Sequence, residues 1–103
     1  MVNVIIYLEK TDDPLIVIKK LLEEKLISNA TIDVENENYK MVDNHITKTI
    51  HTVITCQTKS LLFTKIVQLI ATEFGENVPI YSIPVTQSNE SFDLFIRNNT
   101  LKI

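Results

Sequence analysis

The chain has no tryptophan, one glycine (Gly75), one cysteine (Cys56), one arginine (Arg97) and three prolines. Each shortage closes a route. With a single glycine there is no Gly-rich loop to cradle a phosphate, and the chain is built from regular elements with few flexible loops. A lone cysteine rules out an intrachain disulfide and any all-cysteine zinc centre. One arginine leaves bidentate phosphate recognition poorly supplied. The formal charge of −3 and pI near 5.3 argue against a nucleic-acid partner, which requires a basic face. No stretch approaches the ~18 apolar residues of a membrane span. The run Val2 to Leu8 contains Asn3, has no basic start and meets Glu9, Lys10, Asp12 and Asp13 at once, unlike a secretory signal. The expected location is therefore cytoplasmic, where the Asn-x-Ser/Thr sequons at Asn29, Asn89 and Asn98 carry no glycosylation message.

What is present suffices for one domain spanning residues 1–103, with 45% hydrophobic residues. A chain of this length buries roughly 60–70% of its unfolded surface, enough for a core without staples. Val2 to Leu8 is an almost continuous apolar run, as in a strand covered on both faces. Asp13 followed by Pro14 is a helix start, because Asp caps free N–H groups and Pro suits the first helical position. The helix should reach about Lys25, with Lys19, Lys20, Glu23 and Glu24 on its polar side. Leu15, Ile18, Leu21, Leu22 and Leu26 form its apolar side. Ile16 and Val17 add apolar surface beyond one stripe, which means either burial within the subunit or a contact with another.

From Ser28 to Val42 the alternation is irregular, whereas Lys48 to Thr58 is dense in β-branched residues and reads as a strand. Asp43-Asn44 between them is turn chemistry, so the two segments form a long hairpin whose exposed ladder edges invite cover by a neighbour. Thr58 is placed to cap a second helix in which Leu61, Leu62, Ile66, Leu69 and Ile70 recur at helical period. Gly75 ends it as a left-handed cap. A strand bounded by Pro79 and Pro84 follows and belongs at a sheet edge. Ser88 or Asn89 then caps a last helix burying Phe92, Phe95 and Ile96. The order predicts an α+β, ferredoxin-like βαββαβ fold: a four-stranded antiparallel sheet with two helices on one face, and an extra C-terminal helix. That fold hosts many unrelated functions.

Several stretches together resemble the CutA family of divalent-cation-tolerance proteins. Glu23-Glu24-Lys25-Leu26 resembles that family's helix end, Tyr39 falls near the aromatic start of its hairpin tip, and Thr58 resembles the threonine closing its third strand. Val78-Pro79, Ile83-Pro84-Val85, Asn89, Phe92 and Phe95-Ile96 are similar, in order, to its C-terminal pattern. The resemblance runs from roughly Val2 to Asn98. Five features depart from the family: Asn29 replaces its usual cysteine, Thr31 its asparagine and Ile80 its glutamate, Met41 to His45 replace its tryptophan-rich tip, and one residue fewer separates Pro79 from Pro84. The resemblance implies a non-enzymatic homotrimer with sheets around a threefold axis, linked to divalent-metal tolerance. The alternative is a PII-like or ACT-like regulatory module that senses a small molecule between subunits; a third is a scaffold without a ligand.

Candidate chemistry is sparse. His45 and His51 share a strand face but lie about 20 Å apart at ~3.3 Å per residue, too far for one ion without a second chain or a bend. Asp33, Glu35 and Glu37 alternate, so a regular strand would project all three from one face, where carboxylates attract hard cations. The competing reading is a solvated edge whose charges discourage aggregation. Asp43 with His45 at the turn is a further candidate, and its imidazole would favour copper or zinc. The candidate metal ligands are therefore His45, Asp43, Glu35 and Glu37. No catalytic constellation is visible. Cys56 reads as core rather than reactive thiol, and five residues of strand separate it from His51, so the two point to opposite faces. The first loop, Lys10-Thr11-Asp12-Asp13, lacks the glycines and arginine of an acylphosphatase. An RNA-recognition sheet needs exposed central aromatics, and Val53 to Thr58 supplies none.

Overall fold

A computed structural model describes all residues from Met1 to Ile103. The elements are β1 (Val2–Glu9), α1 (Pro14–Glu23), β2 (Asn29–Val42), β3 (His45–Thr58), α2 (Phe63–Phe74), β4 (Ile80–Pro84) and α3 (Glu90–Asn98). The strands form one antiparallel sheet in the order β2-β3-β1-β4, as the ferredoxin-like reading requires.

Alternation on β1 decides the layering. Val4, Ile6 and Leu8 are fully buried and join Val17, Ile18 and Leu21 of α1 and Ile66 and Ile70 of α2 in one cluster. Both helices therefore cover the even-numbered face of β1. Its odd-numbered residues, Asn3, Ile5, Tyr7 and Glu9, point to the face opposite α1 and α2. Cys56 is buried in the core cluster, as expected.

The caps explain the helix ends. The Asp13 carboxylate accepts from the Leu15 N–H at 2.9 Å, and Asn89, not Ser88, accepts from the Phe92 N–H at 3.1 Å. Helix α1 stops at Glu23, slightly before the expected end, because Lys25 turns to φ +56°. The Leu26 N–H then bonds the Leu21 carbonyl and the Lys25 N–H bonds that of Leu22, a Schellman closure made with lysine in the glycine position. Gly75 does have positive φ, but at φ 110°, ψ 156° it is extended rather than in the left-handed helical region.

Further expectations meet a different outcome. Thr58 does not cap α2: a 3₁₀ turn over Ser60–Leu62 intervenes, and the buried Thr58 hydroxyl bonds elsewhere. Of the three residues expected to be buried by α3, only Ile96 is, while Phe92 and Phe95 remain substantially exposed. Finally, Leu15 and Ile16 of α1 are more than half exposed, so burial within the chain accounts for Val17 but not for them. The proline-bounded strand β4 is an edge, as its missing N–H groups demand.

Candidate functional site

The hairpin turns on Asp43 (φ 49°) and Asn44 (φ 64°), both left-handed, which is the two-residue turn that matches strand twist. Strand β3 begins at His45, three residues before the dense β-branched run, because the turn fixes Val42 opposite His45. Asp43 and His45 are both exposed at this tip.

The other candidates are not beside them. Pairing passes from Asp33 opposite Val53 directly to Asn36 opposite His51, so β2 carries one residue too many, with Glu35 at φ 56°. This bulge breaks the expected alternation. Asp33 shares with Val53 the face opposite α1 and α2, whereas Glu37, opposite Ile50, falls on the other parity. Glu35 pairs with Lys10 at 3.9 Å. Glu37 pairs with Lys48 at 3.2 Å and accepts from the Tyr39 hydroxyl, also at 3.2 Å. These contacts hold the Glu37 carboxyl below its usual range: the Lys48 hydrogen bond contributes most, then that of Tyr39, then the Lys48 charge. Five rungs of ladder separate Glu37 from the Val42–His45 pair, about 17 Å at ~3.3 Å per residue. Nowhere in the chain do three His, Cys, Asp or Glu side chains gather as metal ligands. The chain thus offers an incoming ion one carboxylate and one imidazole at the tip, short of a coordination shell.

A second constellation was not legible in the sequence. On the face opposite α1 and α2, Tyr7 meets His51 edge-on at 5.7 Å between ring centroids and stacks on Tyr81 at 6.1 Å. The Tyr7 and Tyr81 hydroxyls lie 3.5 Å apart, and that hydrogen bond is the main reason the Tyr81 hydroxyl holds its proton above the usual phenol range. Beside this row, where β1 ends and the α2–β4 connection crosses, lies a cleft of about 430 Å³ lined by Tyr7, Glu9, Asp12, Lys40, His51 and Glu76 among others. A shallower cleft next to it shares Glu9, Thr11 and His51 and adds Thr49. The buried side-chain polar atoms without a partner are Thr49 Oγ1 and His51 Nδ1, and both residues line these clefts. Period-two alternation could have put Tyr7 and Glu9 on one face. The Glu9–His51 pairing and the crossing loop come only from the tertiary register.

These features define a ferredoxin-like domain with a long hairpin and an added C-terminal helix. No family model and no curated relative matches the sequence. The likeness is to solved CutA1 structures. The Pyrococcus horikoshii CutA1 superposes with a TM-score of 0.86 at 19% identity, over 99% of this chain and 100% of the other. The divalent cation tolerance protein of Thermus thermophilus gives 0.86 at 18% identity, covering 97% and 99%. The periplasmic divalent cation tolerance protein CutA of Archaeoglobus fulgidus gives 0.83 at 20%, covering 96% and 98%. The chain has the CutA1 fold from end to end.

Proposed function

We propose that this protein is a cytoplasmic, non-enzymatic homotrimer of the CutA type that contributes to divalent-metal tolerance by weak metal binding. The observation that supports this reading most is the full-length match to divalent cation tolerance proteins, hairpin included. The exposed apolar residues of the hairpin, Tyr39, Met41, Val42 and Ile46, fit an arm that a neighbouring subunit covers. Asp43 and His45 provide an oxygen and a nitrogen donor at the tip. Copper or zinc is the fitting ion class for that pair. Glu35 and Glu37 are already engaged by Lys10 and Lys48, so a complete shell requires donors from two subunits, and affinity is correspondingly low.

Native mass spectrometry of the metal-free protein, before and after copper(II) or zinc(II), tests this. A trimer that takes up a defined, saturable number of ions, with uptake lost in Asp43→Asn/His45→Ala, is the expected result. A monomer overturns the assembly. A trimer without saturable uptake, or with uptake unchanged in the variant, overturns the proposed metal site.

A further inference from the structure

We propose that the flank of α1 above β2 is the docking surface for a second copy of this chain, which lays the β4-side flank of its own α2 against it. This rests on the homotrimer reading and assigns the seam between its subunits.

The facing of α1 is the first reason. Lys20 reaches Glu73 of α2 at 3.5 Å, so that side of α1 faces α2. Leu22 stands two positions on, about 200° around the helix, and Leu15 lies two turns before Leu22 on nearly the same line. Both sit on the flank turned away from α2, where α1 lies against β2. On β2, Ile32 pairs with the core residue Ile54 and so shares the side of the helices, and alternation adds Val34. Leu15, Leu22, Ile32 and Val34 are 56%, 41%, 39% and 63% exposed, an apolar strip along one edge of the molecule.

A matching flank lies at the other edge. Lys65, Leu69, Thr72 and Glu73 of α2 share a groove with Lys20 and Glu24 of α1, which makes that the α1-facing side of α2. Val67 and Ala71, both only half-buried, lie on its other flank, with the exposed Thr64 at the rim. No charged side chain stands among these three, and the small Ala71 leaves room for a second helix to approach.

Topology brings the two flanks together. The order β2-β3-β1-β4 leaves β2 and β4 as free edges. A threefold ring uses a different surface on each side of every contact, so what one edge presents the other must match. Strand β2 runs parallel to β1 and β4 runs against it, so subunits turned about an axis along the strands meet edge to edge as an antiparallel pair. The α2 of one subunit then lies beside the α1 of the next. Charge agrees with this: Lys19, next to the α1 strip, and Glu76, just beyond the end of α2, are both outside the ion pairs of the chain.

Sedimentation equilibrium over a dilution series, with circular dichroism as the check on folding, tests the seam. Leu15→Glu/Leu22→Glu should raise the concentration at which the trimer half-dissociates by at least about a hundredfold, because two apolar side chains leave the seam and two carboxylates enter it. Adding Thr64→Lys should recover at least about tenfold of that loss, since each subunit then offers an ammonium group to the carboxylates of the next. Thr72→Glu puts a carboxylate on the α1-facing side of α2 and should leave the trimer unchanged. If the double variant loses its helical signal, Leu15→Glu or Leu22→Glu alone replaces it, with an expected loss of at least about tenfold. A monomeric wild type overturns the homotrimer and the seam with it. A wild-type trimer that the Leu15 and Leu22 substitutions leave intact overturns the seam alone. Dissociation that Thr64→Lys does not reverse, or that Thr72→Glu reproduces, overturns the β4-side flank of α2 as the partner surface.

Discussion

The Thr58 hydroxyl, fully buried, donates a 2.6 Å hydrogen bond to the Leu26 carbonyl and so ties the end of β3 to the chain leaving α1. Leu26 follows the left-handed Lys25 and closes the Schellman turn, so its carbonyl lies outside any helix or strand. Thr58→Val keeps the shape and removes the donor. It should cost about 1–3 kcal/mol, because a buried acceptor is left unmatched. Thr58→Ser keeps the hydroxyl and should cost less, about 1 kcal/mol for the lost methyl. Urea unfolding checks this as a lower midpoint at unchanged slope. Equal losses in the two variants would mean that packing, not the hydrogen bond, matters at this position.

Cys56 sits in the core with burial pushing its thiol up to about 12 from an ordinary value near 9.0. The thiolate is the reactive form, so a thiol reagent at neutral pH should label the native protein only as fast as the protein opens. The sign of the pH effect follows from the raised value. Below pH 9 the folded and unfolded states both hold the proton, and the contribution is fully present. Between 9 and about 12 only the folded state holds it, so stability relative to Cys56→Ala should fall as pH rises. A wild-type minus Cys56→Ala difference that stays flat across that window would contradict the burial.

Glu37 and Lys48 face each other across the hairpin, opposite Ile50 and Tyr39 respectively. The depressed Glu37 value makes the pair's contribution present above the usual carboxylate range and lost as pH falls through the folded-state value. Lys48→Met should move the Glu37 carboxyl back up in an NMR titration, and Tyr39→Phe should move it by less. Both groups are about half exposed, so added salt should shrink the Lys48 effect. An unmoved Glu37 in Lys48→Met would show that the pair does not persist in solution.

Local chemistry made most of the architecture readable. Asp13-Pro14, Asp43-Asn44 and Asn89 each act through their own backbone neighbourhood, and each ends or starts an element where the residue types require. Features set by distant partners were not readable. Thr58 has the right chemistry for a helix cap, but its hydroxyl is claimed by Leu26, thirty-two positions away in sequence. Phe92 and Phe95 have core side chains on a helix that presents only Ile96 inward. For the site, the sequence supplied Asp43 and His45 as turn neighbours, but it could not show that a single inserted residue at Glu35 divides the acidic row. The Tyr7–His51–Tyr81 row draws on three strands, and no spacing along the chain encodes it.

Glu35 carries that division at an energetic cost. It is a non-glycine residue at φ 56° inside a strand, a conformation disfavoured by roughly 1–2 kcal/mol for residues with a Cβ. Its ion pair with Lys10 is long, at 3.9 Å, and both side chains are mostly exposed, so losing it costs at most about 1 kcal/mol. Glu35→Gly relieves the conformation while enlarging the entropy of the unfolded chain, and should leave stability unchanged or raise it by up to about 1 kcal/mol. Glu35→Val puts a β-branched residue at positive φ and should lower stability by about 1–2 kcal/mol. Deleting Glu35 is the sharper test. The extra residue disappears, Val34 can pair opposite Thr52, and Asn36 stays opposite His51, so cross-strand contacts from Asn36 to the tip should survive. If the deletion instead slips the register by one and moves Tyr39 and Met41 to the other face, then the bulge fixes the pairing of the whole outer arm.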